Sequence, residues 1–327
     1  MSADGAVRYL IRHDTRYRYD QPVGESRQLM RLRPRELPRQ HCLSHTLEID
    51  PRPRHGEEYV DGFGNTVCSL HFEHEHDILF VRAESLVEIT PFVPPAPGAS
   101  LPWERARDEL AYHAGRGLDA AHLEAAGFLF ESRHVRIKHE FAEYAHADFP
   151  AAMPLLAGVD RLMRRIHREF IYDPEATGIS TPVTDVLVRR RGVCQDFAHL
   201  MLSCLRSLGL AARYVSGYIL THPPAGKARL VGADATHAWV SVFCPGAGWV
   251  DFDPTNAHIP TREHVTLAWG RDFADISPLR GVILGGGGHE PEIAVTMVPE
   301  AERAVLHPES RPPAAAFPPT AQTAPPA

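Results

Sequence analysis

Apolar and polar residues alternate at Val7, Tyr9 and Ile11, again across residues 43–49, and again across 79–89. A period of two marks strands that turn one face to a core. The turn-forming run Asp61-Gly62-Phe63-Gly64-Asn65 falls between them, so the stretch predicts an antiparallel β-sandwich or barrel. Proline-rich residues 91–102 close it. Beyond that boundary the spacing turns helical over 105–126 and 141–168, broken by Gly and Pro. A further helix starts near Gly192 and stops at Gly209, with Phe197, Ala198, Met201, Leu202, Leu205 and Leu208 at helical intervals. From Ala211 the pattern returns to strands, over 212–220, 236–243 and 248–253, the last two joined by Cys244-Pro245-Gly246-Ala247. Residues 264–269, 282–284 and 293–298 read as strands closing this second unit.

The order of elements predicts an α+β protein: a β-rich domain over 1–93, a proline-rich linker and helical segment over 94–150, and a second core over 151–300. A Pro/Ala-rich tail over 301–327 is expected to be disordered. The length, 327 residues, exceeds what one core usually accommodates, and an apolar fraction of 44% is ordinary for a folded chain. A net charge of -7 with scattered basic residues gives no nucleic-acid footprint and no polybasic membrane patch. The main basic run, Arg189-Arg190-Arg191, reads as a solvated helix end, with attraction of an acidic substrate as the functional alternative.

No apolar run approaches the about 20 residues of a membrane span, and residues 1–13 lack a signal-peptide pattern, so a cytoplasmic location is expected. Cys42, Cys68, Cys194, Cys204 and Cys244 are an odd set at irregular spacing, neither a disulfide framework nor a zinc pattern. Cys204 falls on the core side of its helix; Cys244 sits in a turn with no role assigned. The run from His71 to Asp77 reads as a polar outer strand face rather than a metal site. Gly285 to Gly288 has no Lys-Ser/Thr partner for a phosphate cradle, and Asp251-x-Asp253-x-Thr255 lacks the glycine and distal glutamate of a calcium loop. No metal and no organic cofactor are expected, and the sequence is silent on oligomeric state.

Chemistry concentrates in Gly192-Val193-Cys194-Gln195-Asp196, Thr236-His237-Ala238-Trp239 and Gly248-Trp249-Val250-Asp251-Phe252-Asp253-Pro254-Thr255. Cys194 falls in the first turn of its helix, where unpaired N–H groups and the helix dipole favour a thiolate. If the two following strands form a hairpin around an odd-numbered loop, His237 and Asp253 share a face, and so does Asp251. Nucleophile, base and orienting carboxylate are then available for acyl transfer. Taken singly, Cys194 can equally be a buried hydrophobe and His237 a satisfied strand histidine.

At these residues the chain resembles the transglutaminase-like superfamily, with its Gly-x-Cys helix start, His-Ala-Trp strand and Trp-x-x-x-Asp-Pro-Thr strand. The first half is similar to the bacterial transglutaminase-like N-terminal domain through His13-Asp14-Thr15-Arg16-Tyr17, Leu32-Arg33-Pro34-Arg35 and the Asp61 to Asn65 turn. The resemblance implies a papain-like core whose nucleophile opens a helix packed on an antiparallel sheet. It assigns Cys194, His237 and Asp253 as the catalytic trio, Asp253 being favoured over Asp251 by its Asp-Pro-Thr context. Gln195 and Asp196 are expected to fix the helix start. Tyr172, Trp239 and Trp249 are candidates for the cleft, with core packing the ordinary duty of both tryptophans. Segments 177–181 and 222–234 are expected to rim it. The expected reaction is attack on a peptide or isopeptide amide through a Cys194 thioester, with the Cys194 N–H in the oxyanion hole. Hydrolysis is placed ahead of transamidation, and a non-catalytic peptide-binding module is the alternative of another class.

Overall fold

In the computed structural model, which describes residues 5–111, 117–222, 232 and 236–306, one long strand organises the N-terminal half. β1 (Val7–Met30), β2 (Gln40–Asp50), β3 (His55–Val60), β4 (Thr66–Phe72) and β5 (His76–Ile89) belong to one antiparallel sheet. β1 pairs with β5 through Val7 to Arg18 and with β4 through Ser26 to Met30, with a register break between Arg18 and Val23. β2 extends β5 and β3 extends β4. Side chains from both halves, including Val23, Met30, Leu70, Phe72, Leu79 and Val81, meet in one buried cluster. A single irregular sheet thus supplies the layers that the alternation predicts.

The helical part of the 94–150 segment is packed into the main core. Helices α1 (Trp103–Leu110), α2 (Ala120–Ala126), α3 (His139–His146) and α4 (Leu155–Glu169) follow β5. Trp103, Ala106, Val135, Phe141 and Phe149 are buried in the same cluster as the α4 stripe Leu155, Val159, Leu162 and Ile166. Then come β6 (Ile171–Tyr172), α5 (Val183–Arg189), β7 (Arg191–Gly192) and α6 (Cys194–Ser207). α6 is buried on every side from Asp196 to Arg206, which its sequence spacing understates because His199, Ser203 and Arg206 are polar. Each has a partner. His199 Nε2 accepts from the Phe273 N–H, Ser203 Oγ accepts from the Arg136 N–H, and Arg206 donates to the carbonyls of Ala212, Arg271 and Phe130.

A four-stranded antiparallel sheet packs against α6. It contains β8 (Ala212–Ile219), β9 (Thr236–Cys244), β10 (Gly248–Phe252) and β11 (His264–Gly270), in the order β10-β9-β8-β11. After α7 (Phe273–Ile276) come β12 (Leu279–Gly285) and β13 (His289–Pro299). Both were expected to close this second sheet. They return instead to β1, β12 along Val23 to Met30 and β13 along Tyr9 to Tyr19. Alternation identifies a strand but not its partner, and β1 would otherwise carry an unpaired edge. The glycine run serves that return. Gly285, Gly286 and Gly287 all have positive φ, and a Cβ at Gly285 would lie 2.7 Å from the Pro22 carbonyl oxygen.

Glu300–Val305, all but its first residue placed in the tail by composition, forms a 3-10 turn that brings Leu306 to 5% exposure. Residues 307–327, which hold the rest of the predicted tail, lie outside the described residues. His76, expected on a polar outer face, is buried against Tyr19 and Phe72. Among the described residues, no helix is long and apolar enough to cross a membrane.

Two side-chain amides fasten the halves together. Gln40 donates to the Thr266 carbonyl at 2.8 Å and accepts from the Thr266 N–H at 2.7 Å. Asn65 does the same with Trp269, at 2.9 and 3.0 Å. The turn Asp61 to Asn65 holds Asn65 in place: the Asp61 carboxylate accepts from the N–H groups of Phe63 and Asn65, and Gly64 supplies a φ of +77°.

Candidate active site

Cys194 opens α6, preceded by Val193 in an extended conformation. Asp196 folds back over this start: its Oδ2 accepts from the Val193 N–H at 2.9 Å and from the Thr177 hydroxyl at 2.5 Å. That return explains Gly192, where a Cβ would stand 2.6 Å from the same oxygen. Burial raises the Asp196 pKa, opposed by these two hydrogen bonds. β6 pairs in parallel with β7, setting Tyr172 opposite Gly192. Tyr172 is 54% exposed and packs edge-on to Phe197. Its pKa is raised by burial and by the negative charge of Cys194. Gln195 is partly exposed beside the thiol, and its side chain has no hydrogen bond among the described residues.

His237 stands near the start of β9, opposite Gly217 of β8. The β9–β10 hairpin pairs Gly248 with Cys244 and Phe252 with Val240, so odd-numbered residues of both strands share one face. Asp253 continues β10 and meets His237: Nε2 to Oδ2 is 2.8 Å. Asp251 takes a different partner, accepting from the Trp239 indole N–H at 3.1 Å. The register therefore separates two aspartates that parity left equivalent. With Nε2 engaged by Asp253, Nδ1 is the ring nitrogen left for Cys194, which lies close enough to help raise the His237 pKa. The structure thus brings the three side chains together.

Two further residues surround Asp253 that the sequence did not signal. His264, on β11, donates from Nε2 to Asp253 Oδ2 at 3.0 Å, and Asn256 Nδ2 reaches the same oxygen at 2.8 Å. Asp253 Oδ1 accepts from the N–H groups of Thr255 and Asn256. The carboxylate is fully buried with all of these donors aimed at it. Burial alone would raise its pKa, but the hydrogen bonds from His237 and His264 and their charges drive it well below the usual carboxylate range. His237 is pulled the other way. Burial opposes its charge, yet hydrogen bonds to Asp253 and Cys194 and their negative charges raise it to about 10. Burial lowers the pKa of His264 despite the same carboxylate.

Trp239 is fully buried, stacked beside His237 and edge-on to His264, and so braces the His237 ring rather than lining an opening. Trp249 is away from the thiol, among Phe128, Phe243 and Arg213. Of the expected rim segments, 177–181 reaches the site through Thr177, whereas most of 222–234 lies outside the described residues. Cys204 and Cys244 are buried, and all five cysteines are free thiols. His237, Asp253 and His264 place one ligand atom each within 4.8 Å of one another, the one such grouping among the described residues. Both imidazoles already bond the same carboxylate oxygen, which accounts for the cluster without an ion.

Residues 9–88 match the bacterial transglutaminase-like N-terminal region and residues 145–254 match the transglutaminase-like superfamily core. The chain belongs to the transglutaminase-like superfamily. An uncharacterized protein of Mycobacterium tuberculosis (strain H37Rv) is 39% identical over 306 residues, spanning 90% of this chain and 94% of that protein. The protein-glutamine gamma-glutamyltransferase of Pseudomonas aeruginosa is 36% identical over 146 residues, 42% of this chain and 21% of that enzyme. A crystal structure of a proposed cysteine protease from Cytophaga hutchinsonii shares the fold, with a TM-score of 0.70 at 22% identity, covering 90% of this chain and 91% of that one.

Proposed function

We propose that this protein is an acyl-transfer enzyme that cleaves peptide or isopeptide amides through a Cys194 thioester, with His237 as acid and base and Asp253 as its orienter. The observation that carries the reading is the 2.8 Å bond from His237 Nε2 to a fully buried Asp253, which leaves the other ring nitrogen to Cys194. The raised pKa of His237 favours an imidazolium beside a thiolate.

In the acylation step Cys194 Sγ bonds to the substrate carbonyl carbon, and the carbonyl electron pair moves to oxygen, facing N–H groups at the α6 start. The C–N bond then breaks as His237 passes its proton to the leaving amine. Water attacks the thioester, gives its proton to the now neutral His237, and the acid departs as the C–S bond breaks. An amine in place of that water would give transamidation. Hydrolysis is placed first because water reaches a partly exposed thiol without a second binding site, whereas an amine acceptor needs one. The similarity to the Pseudomonas enzyme over 146 residues supports transamidation as the second reading.

Iodoacetamide labelling of the native protein at neutral pH tests the first step. Cys194 is expected to react much faster than a free thiol with a pKa of about 8.5, and uniform slow labelling of all cysteines would defeat the reading. Incubation of a glutamine-containing peptide with a tagged amine then separates tag incorporation from simple ammonia release.

A further inference from the structure

Behind the Asp253 relay lies a cavity of about 410 Å³ between the two sheets. That volume lies in the range of small-molecule sites, about 300–1,000 Å³. Its walls come from the 37–40 segment and Phe92 on one side and from β8, β10 and β11 on the other. Neither Cys194 nor His237 lines it, although His264 does.

The charged groups facing this space are incompletely engaged. Arg213 is only 6% exposed, yet none of its nitrogens has a hydrogen bond among the described residues. Its guanidinium is held between the rings of Trp249 and Trp269, at 4.1 and 3.5 Å from their centroids. Among the described residues its carboxylate neighbour within ion-pair reach is Glu124, at 3.6 Å and itself 54% exposed. Arg39 lies over the Phe92 ring at 3.1 Å, with no hydrogen bond from its guanidinium among the described residues. Asp251 lines the same cavity as both arginines and has one oxygen committed to Trp239. A buried guanidinium without acceptors is expensive unless a ligand or ordered water supplies them.

A simple anion entering here would meet Asp251 and Glu124, and a simple cation would meet Arg39 and Arg213. A zwitterion satisfies both signs. The aromatic and aliphatic walls then suit an apolar body attached to it. From the incompletely engaged Arg213 fork, the Asp251 carboxylate lining the same cavity and the apolar wall residues, we infer that this cavity binds a free α-amino acid with an apolar side chain. The carboxylate lies on the arginines, the ammonium on Asp251, and the side chain against Leu37, Ile89 and Val215. The site is separate from the amide cleavage proposed above.

Calorimetric titration of the full-length Cys194→Ala protein with L-leucine at neutral pH tests this without reference to activity. Leucine is expected to bind, while 3-methylbutylamine, which lacks the carboxylate, and 4-methylpentanoate, which lacks the ammonium, bind at least about tenfold more weakly. Arg39→Gln, a change at an exposed side chain, and Asp251→Asn are each expected to weaken leucine at least about tenfold, with folding checked by thermal melting. No heat with leucine at millimolar concentration overturns the inference. So does equal binding of either truncated analogue, or unaltered affinity in both folded variants. A protein that binds leucine but cleaves no amide would sink the proposed reaction and leave this site standing.

Discussion

At the scale of single residues, Asp253 is the side chain whose environment is most specialised. Its buried Oδ2 accepts from His237, His264 and Asn256 at once. Asp253→Asn preserves volume but replaces a charged acceptor with a neutral amide. It is expected to lower kcat by between about a hundredfold and ten-thousandfold with little change in KM, measured by steady-state kinetics once a substrate is in hand. The pH profile should carry the mark of His237. Its raised pKa keeps the imidazolium through neutral pH, so turnover that depends on it should fall as pH climbs through about 10. His237 was readable from its His-Ala-Trp setting and Asp253 from Asp-Pro-Thr. The choice of Asp253 over Asp251 was not readable from parity, because the two differ by one strand repeat; register and the Trp239 indole decide it. His264 gave no signal at all. It reaches Asp253 through the pairing of β11 with β8, a long-range fact that spacing does not encode.

At the scale of elements, glycines mark the places where backbone comes close. Gly217 faces His237 across the β8–β9 ladder, and a Cβ there would lie 1.9 Å from the Val265 carbonyl oxygen and 2.7 Å from the Trp239 ring. Gly217→Ala is therefore expected to lose about 3 kcal/mol by chemical denaturation, through overpacking that pushes β11 off β8. Gly192→Ala meets the Asp196 carboxylate instead. There the expected effect is loss of the return bond to Val193 and slower Cys194 alkylation, with a stability change of about 1 kcal/mol. The helix opened by Cys194 and the hairpin carrying His237 were legible because each is local: helical spacing, a turn run and a two-residue period lie within a few neighbours of each other. The positions of β12 and β13 were not legible, since a strand with apolar residues on alternate positions fits either sheet. Burial of α6 on every side was understated because three of its buried residues are polar and satisfied at a distance.

At the scale of the whole molecule, acid should unfold the protein through histidines held neutral. Burial lowers the pKa of His13 to about 4 and of His199 to about 3, against about 6.5 in an unfolded chain. A lowered histidine pKa contributes stability above 6.5 that is lost as pH falls toward the folded value. Two such groups give a slope of about 3 kcal/mol per pH unit between about pH 6 and 4. His237 acts with the opposite sign: its share is complete below about 6.5 and is lost as pH rises toward about 10. Melting temperature against pH should therefore form a dome, and His199→Gln should flatten its acid limb if the variant folds. A chain ending before Leu279 lacks both strands that cover β1 from Tyr9 to Met30. It is expected to self-associate, as read by light scattering, because an uncovered edge of that length is a template for another chain.

The amides of Gln40 and Asn65 act as a substitute for a fifth strand. They occupy peptide groups of Thr266 and Trp269 on the outermost ribbon of the α6-facing sheet, groups that a neighbouring molecule would otherwise be free to zip onto. Each amide matches a peptide unit in donor, acceptor and spacing, yet ends after one repeat and so cannot be extended. The N-terminal half thereby closes part of the β11 edge to pairing with another chain.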